Sequence, residues 1–355
     1  MSLQKIKEGK TEFYASIGNK PVSKELEVFY NSVMKFNRDS AVLVLKTSNQ
    51  KYSRKNLKIA DPLAGSGVRI TRFENELPKN AILKYFVNDI SKNAIKILKK
   101  NLKLNKIKNN KAFISNQDAN LFLLNNKYFD YIDIDPFGSP VYFLDNAVQS
   151  LKNKGILAVT ATDTAALSGS SPSACKRKYW SVPLKNDFMH ETGLRILIRR
   201  VQLTGLSHEK ILLPLLSFYK DHYVRIYFSC ENANKKKINE IFSKNKELTY
   251  KEKNRNINYG PLWTGSIGNS EFIGNMIKSC DDAQMKKFLT ILKNECEHNI
   301  IGFIDLTKFA KQNKFKKTPK KSDLLKTGKA IETHCNPNAV KWFGTEKELK
   351  KYYKN

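Results

Sequence analysis

The chain has 355 residues, long enough for two hydrophobic cores, and carries 63 Lys and Arg against 33 Asp and Glu, a formal net charge of +30. Such a field draws polyanions from a distance and strengthens their binding through counterion release, so a nucleic-acid partner is expected. No apolar segment approaches the roughly 20 residues that span a bilayer and the start lacks a signal-peptide core, which predicts a soluble, cytoplasmic protein.

In chain order, Ala41-Val42-Leu43-Val44-Leu45 reads as a strand. The segment Leu57 to Asp61 is an apolar strand that runs into the turn Pro62-Leu63-Ala64-Gly65-Ser66-Gly67 and then a helical stretch containing Arg69. Glycine at 65 and 67 permits a tight positive-φ turn and leaves no Cβ to block a cofactor lying across the strand ends. A G-x-G-x-x-G dinucleotide pattern fails at Ile70, while Asp61 stands four residues before Gly65 and a carboxylate follows the next strand. These features favour S-adenosylmethionine over a dinucleotide. Ile82 to Val87 forms that next strand and ends at Asn88-Asp89, where a carboxylate can hold both ribose hydroxyls; a helical stretch follows from Ala94 to Leu104. Ala112 to Ser115 ends at Asn116-Gln117-Asp118-Ala119, the place for contacts to an adenine amine and ring nitrogen.

The strand Tyr128 to Ile134 closes on Asp135-Pro136-Phe137-Gly138. A carboxylate and a proline carbonyl can each accept a hydrogen bond from an NH2 group, and the Phe137 ring can stack on the heterocycle that bears it, so methylation of a nucleobase amine is the expected chemistry. Four strand ends carrying ligand-type residues are what one cofactor cleft produces, although Asp61, Asp89 and Asp118 taken singly would serve as helix caps. Gly155 to Thr160 adds a further strand, and Ile211 to Ser217 with Tyr223 to Phe228 reads as an antiparallel edge. Strands alternating with helices predict a mainly parallel, doubly wound α/β sheet within a domain of residues 1–230. The polar stretch Glu231 to Asn258 marks a boundary with little core of its own. Residues 231–355 then form a smaller α+β domain, with helical spacing at Glu271 to Met276, Ala283 to Glu295 and Asp305 to Lys311. Pro319 to Gly328 resembles the helical part of a winged-helix module.

Eight lysines, among them Lys316, Lys317, Lys320 and Lys321, crowd residues 311–329, where Asp323 is the only acid. That run is expected to meet phosphate. His222 and Arg225 are read as binding phosphate or bracing the cleft. The five cysteines, Cys175, Cys230, Cys280, Cys296 and Cys335, include no C-x2-C pair, so no structural zinc and no other metal is expected.

Taken together these segments resemble the archaeal type of the tRNA (guanine-N2)-dimethyltransferases that act on guanosine 26. The resemblance runs through Glu8-Gly9-Lys10, Phe29-Tyr30-Asn31, Asn37-Arg38-Asp39, the glycine turn, Asn88-Asp89-Ile90, Asp118-Ala119 and Asp135 to Pro140. It continues through Asp163 to Leu167, Arg177-Lys178-Tyr179, His190-Glu191 with Arg195, Asp221 to Arg225, Gly260 to Gly265 and Glu332 to Pro337. It implies a Rossmann-like class I S-adenosylmethionine-dependent methyltransferase domain followed by a tRNA-binding domain. Cofactor contacts are implied at Arg38, Arg69, Asp89, Asp118 and Ala119, with Asp135 catalytic and Phe29 beside the substrate base. Two departures stand out. Ser32 replaces a proline of many relatives, and Cys230 is alone where many carry paired cysteines for zinc.

The implied chemistry is positional. Asp135 and the Pro136 carbonyl would hold the amine hydrogens so that the nitrogen lone pair faces the methyl group, with tRNA as partner and a monomer as the acting form. An amino-methyltransferase acting on another RNA or on DNA, and a non-catalytic RNA-binding protein, are the alternative readings.

Overall fold

A seven-stranded sheet organises the first half of the chain, and the computed structural model describes residues 3–16, 30–52, 56–78, 82–252 and 255–353. An antiparallel hairpin, β1 (Leu3–Glu8) and β2 (Thr11–Ser16), comes first, followed by helix α1 (Lys35–Tyr52). Strands and helices then alternate as β3 (Asn56–Asp61), α2 (Val68–Glu76), β4 (Ile82–Asn88), α3 (Lys92–Leu104), β5 (Ala112–Ser115), α4 (Ala119–Asn125), β6 (Phe129–Ile134), α5 (Val141–Ser150) and β7 (Leu151–Ala161). The sheet is completed by β8 (Lys210–Lys220) and β9 (Tyr223–Asn232), neighbours joined by the two-residue turn Asp221-His222, which makes them an antiparallel hairpin.

Strand order is β5-β4-β3-β6-β7-β9-β8, with β3–β4, β3–β6, β4–β5 and β6–β7 parallel. From β3 the chain steps outward through β4 to β5 and then returns to β6 on the other side of β3. That reversal is the switch point at which an open α/β sheet leaves a crevice beyond its carboxyl ends. Parallel strands covered on both faces read as continuous apolar runs, and every residue of β6 is buried, Asp130 and Asp133 included. Helix α3 turns Ala94, Ile95, Leu98 and Leu102 inward at helical spacing, and Ser91 caps it through Ala94 N at 3.3 Å.

The strand expected at Ala41–Leu45 is corrected: these residues lie inside α1. All five are buried, and an apolar run buried all round has no period of its own, so its helical flanks decided its conformation. The chain also divides elsewhere than at 230/231. One compact unit comprises Met1–Thr162, Leu203–Leu213 and Tyr227–Asn234, and the other Asp163–Gln202, Pro214–Ile226 and Lys235–Asn355.

The second unit holds α6 (Thr164–Leu167), α7 (Pro172–Tyr179), most of α8 (Met189–Ser207), α9 (Lys235–Lys244) and the antiparallel pair β10 (Asn245–Glu252) and β11 (Arg255–Trp263). The polar stretch 231–258 therefore carries regular structure, but Ile241 is the only buried residue of α9 and none of β10 is buried. Next come α10 (Ser270–Ser279), α11 (Ala283–His298), β12 (Ile304–Asp305), α12 (Leu306–Gln312), α13 (Lys321–Lys326), β13 (Ala330–Glu332), β14 (Ala339–Trp342) and α14 (Glu346–Lys350). From α11 to β14 the element order, with strands arranged β12-β14-β13, is that of a winged helix around Leu306, Leu324, Val340 and Trp342.

A buried ionic chain ties this unit together. Glu191 accepts from Arg195 Nε at 2.9 Å and from Lys341 Nζ at 2.7 Å; Lys341 lies 3.7 Å from Glu295, which in turn pairs with His334. Burial alone would raise the Glu191 carboxyl, yet the Lys341 ammonium and the Arg195 guanidinium outweigh it and hold its pKa at about 2. A carboxyl held that low contributes stability that is complete above its ordinary value near 4.5 and is lost as the pH falls towards 2. Lys341→Ala removes the cation that two buried carboxylates share and is expected to cost about 3–5 kcal/mol, read as a lowered midpoint in thermal or denaturant unfolding at pH 7. The deficit should shrink as the pH drops below about 4.5.

Candidate active site

The glycine turn between β3 and α2 shapes one wall of the crevice. Gly65 and Gly67 have φ of +53° and +74°, and a Cβ on Gly67 would lie 2.5 Å from Leu98 Cδ1, so neither the backbone nor the space admits a side chain there. Asp89, just beyond β4, braces the turn: its Oδ2 accepts from Gly65 N at 2.8 Å and its Oδ1 from Ser91 N at 2.8 Å. Asp118 caps α4, with Oδ1 accepting from Asn120 N at 2.8 Å and Leu121 N at 3.2 Å, while Ala119 is buried beside it. Asp118 thus caps a helix as it would if it served structure alone, whereas α3 is capped by Ser91 and Asp89 holds the glycine turn. Each aspartate remains at a strand end facing the crevice, and carboxylate oxygens keep further lone pairs for a ligand.

Arg69, 6 % exposed in the first turn of α2, is the hub of the site. Its Nη2 donates to Asp135 Oδ2, its Nη1 lies 3.3 Å from Asp133 Oδ2, and the same Nη1 donates to Asn37 Oδ1 at 3.0 Å. Asn37 is fixed in turn by Thr160 Oγ1 at 3.1 Å, and Asp133 accepts from Tyr131 OH at 2.5 Å. Beyond Asp135, Pro136 is buried and its carbonyl receives no hydrogen bond from the described residues. Phe137 is 49 % exposed. Gly138 has φ +83° and donates its N–H to Thr162 Oγ1 at 2.7 Å; a Cβ there would meet nothing within 4 Å. The D-P-F-G segment therefore presents a fixed carboxylate, an open carbonyl, an accessible ring and free space.

Asp61 is only 3 % exposed, and its carboxyl receives no hydrogen bond from the described residues. Burial pushes its pKa up to about 8 against the pull of Arg69, with Asp133, Asp135 and Asp89 adding to the rise. Asp133 and Asp135 pair with Arg69, and Asp61 and Asp89 lie in the same field. That surplus of negative charge suits a cationic ligand, as the sulfonium and ammonium of S-adenosylmethionine would be.

A second cluster anchors the hairpin to the site. Glu8 Oε1 accepts from Arg38 Nε at 2.7 Å and Arg72 Nη1 at 2.9 Å, and its Oε2 from Arg38 Nη2 at 2.6 Å and Tyr30 OH at 2.9 Å. Burial would raise the Glu8 carboxyl, but Arg38 and Arg72 hold it down at about 2. Arg38 also donates to the Asn31 carbonyl at 3.0 Å, leaving its Nη1 unclaimed among the described residues. Phe29 lies outside the described residues.

The structure brings Arg38, Asp61, Gly65, Gly67, Arg69, Asp89, Asp118, Ala119, Asp135, Pro136 and Phe137 into the first unit. The RNA candidates belong to the second. Lys316, Lys317 and Lys320 are exposed with no acidic partner among the described residues, whereas Lys321 Nζ is tied to Glu332 at 2.7 Å and the Pro337 carbonyl at 2.9 Å. His222 is exposed at the hairpin tip. Arg225 is corrected as a phosphate contact: its side chain is wholly buried, so it braces the fold. Sequence reading assigned no role to Asp133, Asn37 or Glu8. The signal for Asp133 was present, since residues 133 and 135 of an extended strand point to one face.

A family model described as N2,N2-dimethylguanosine tRNA methyltransferase matches residues 5–353. The chain is 36 % identical over 342 residues to the tRNA (guanine(26)-N(2)/guanine(27)-N(2))-dimethyltransferase of Aquifex aeolicus, covering 89 % of this chain and 86 % of that one. It is 34 % identical over 365 residues to the tRNA (guanine(26)-N(2))-dimethyltransferase of Methanocaldococcus jannaschii, covering 97 % and 96 %. Among solved structures, Trm1 from Pyrococcus horikoshii in complex with S-adenosyl-L-methionine superposes with a TM-score of 0.85 at 30 % identity, covering 99 % of this chain and all of that one.

A carboxyl whose folded pKa stands above its unfolded value opposes folding increasingly as the pH rises from about 4 to about 8. Asp61→Asn is therefore expected to raise the thermal midpoint of the ligand-free protein at pH 8 and to leave it unchanged at pH 4. A lower midpoint at pH 8 would show that Asp61 is charged and stabilising there.

Proposed function

The chain belongs to the N2,N2-dimethylguanosine tRNA methyltransferase family, and starting from that membership we propose that it methylates the exocyclic N2 amine of guanosine 26 in tRNA, twice in succession, using S-adenosylmethionine. The observation that carries this reading is the Asp135 carboxylate, fixed by Arg69 beside an unclaimed Pro136 carbonyl and an exposed Phe137.

When bound, S-adenosylmethionine supplies an electrophilic methyl group on a sulfonium centre. The residues that would hold it are the Gly65 and Gly67 backbone, Asp89, Asp118 and Ala119, with Arg38 Nη1 and Arg69 at hand for a carboxylate and Asp61 for positive charge. Everything else is done by the protein's own groups. The guanine amine is a weak nucleophile because its lone pair is delocalised into the ring. Asp135 and the Pro136 carbonyl each take one amine hydrogen, which turns the nitrogen outward and meets the positive charge that builds on it. Asp135 is also the base placed to receive the proton that the amine sheds. A guanine stacked in an RNA stem must first rotate out, at a cost of a few kcal/mol, and the Phe137 ring offers replacement stacking. After one transfer the nitrogen keeps a hydrogen, and the space beside Gly138 admits the second methyl.

Lys316, Lys317 and Lys320 are proposed to contact the RNA backbone, with Lys321 held back by Glu332. No helix among the described residues is long and apolar enough to cross a membrane, and we place the protein with its substrate in the cytoplasm.

Nucleoside mass spectrometry of a tRNA transcript incubated with protein and S-adenosylmethionine tests the reading, beside a transcript with guanosine 26 replaced. Dimethylguanosine is expected in the first alone; methylation of both or of neither would overturn the target. Asp135→Ala is expected to lower the methylation rate by about 10²–10³ while cofactor and tRNA still bind. Turnover at the wild-type rate would remove Asp135 from the mechanism.

A further inference from the structure

Helix α7 ends on a residue that the methyl-transfer site does not use. Trp180 is the helix C-cap in the left-handed region, with φ 53° and ψ 45°, and its N–H donates to the Lys176 carbonyl at 3.1 Å. A bulky side chain in that region is strained, and such strain persists only where the surroundings hold it. The restraint comes from α8. Arg199 Nη1 donates to the Trp180 carbonyl at 3.2 Å, and Arg200 Nε donates to the Lys178 carbonyl at 3.2 Å. The Arg200 guanidinium lies 4.0 Å from the indole centroid and covers one face of the ring.

The indole nevertheless remains 56 % exposed, whereas the other two tryptophans, Trp263 and Trp342, are 3 % and 9 % exposed. A tryptophan that only packed would bury its ring rather than hold it out on a strained backbone. The surroundings are cationic: Lys176 and Arg177 are exposed with no acidic partner among the described residues, and Lys178 alone is matched, by Asp163 at 3.2 Å. A rigid ring backed by a guanidinium and flanked by free cations has the chemistry of an unpaired nucleotide's site, with the base on the ring and phosphates on the cations.

We propose that Trp180 and Arg200 form a stacking platform for an unpaired nucleotide of the tRNA, with Lys176 and Arg177 on the adjoining phosphates. This rests on tRNA being the substrate. Because Trp180 is the one exposed tryptophan of the three, intrinsic fluorescence reports on it directly. Titration with tRNA is expected to quench the wild-type emission and to leave that of Trp180→Phe unquenched while it still binds. Trp180→Ala should bind tRNA roughly five- to a hundredfold more weakly, with the loss in KM for tRNA rather than kcat, and Trp180→Phe should restore most of it. Lys176→Gln with Arg177→Gln should lower the salt dependence of binding, which Trp180→Ala leaves unaltered. Unquenched wild-type emission at saturating tRNA, or wild-type affinity in Trp180→Ala, overturns the platform. Emission quenched by tRNA in a protein that methylates none would sink the activity and support the platform.

Discussion

One guanidinium sets the electrostatics of the first unit. Arg69 is nearly buried, and its partners come from separate elements: Asp133 and Asp135 at the end of β6, and Asn37 on α1, which is itself tied to Thr160 on β7. Asp133 is wholly buried, so without Arg69 its buried carboxylate would lose the cation that offsets its burial, a far larger cost than a surface pair could offset. The same contact aims Asp135. A carboxylate that need not reorganise as charge appears on the substrate is worth more than one that must be drawn into place, so the ion pair serves stability and reactivity at once.

The three consecutive residues Asn37-Arg38-Asp39 extend this logic. Asn37 meets Arg69, Arg38 meets Glu8 and Asp39 meets Arg72 at 2.6 Å, while Arg69 and Arg72 stand one helical turn apart on α2. One turn of α1 is therefore bolted to one face of α2, and Glu8 draws the amino-terminal hairpin into the same cluster. The glycine turn is held in its positive-φ conformation because the helix that follows it is pinned along this face, and Asp89 closes it from the end of β4.

Much of this could be read from the chain because the strands are continuous apolar runs that stop abruptly at Asp61, Asn88-Asp89, Asp118 and Asp135, and sheet topology puts such stops at one edge. What could not be read depends on tertiary choice. Ala41 to Leu45 is buried on all sides, which erases the alternation that separates strand from helix. Arg225 looks like any cation near a turn, yet it is wholly enclosed, and nothing local signals that. Lys321 stands in a basic run, but its partner Glu332 lies eleven residues on in a neighbouring strand. The division of the units escaped for a related reason: β8 and β9 are single strands whose two ends pack in different units, so no change of composition marks the boundary. Trp180 was invisible as a site because sequence does not report that a helix ends in the left-handed region.

The charge imbalance has a structural distribution. Acidic groups are drawn inward and used up: Glu8, Glu191 and Glu295 are almost wholly buried against cations, and Glu76 and Asp39 are taken by Arg72. Each acid consumed in this way is one fewer to neutralise a surface lysine. Each also takes a cation inward with it, so the buried pairs cancel and the net charge of +30 falls on the remaining residues, most of them exposed. For a polyanionic substrate the two halves of this arrangement act on different quantities. The buried pairs are screened little by salt and fix geometry, whereas free surface cations such as Lys316, Lys317 and Lys320 act through counterion release and weaken as salt rises. Strength of RNA capture and precision at the amine are consequently separable in this molecule: the first depends on ionic strength, and the second on an interior that ionic strength hardly reaches.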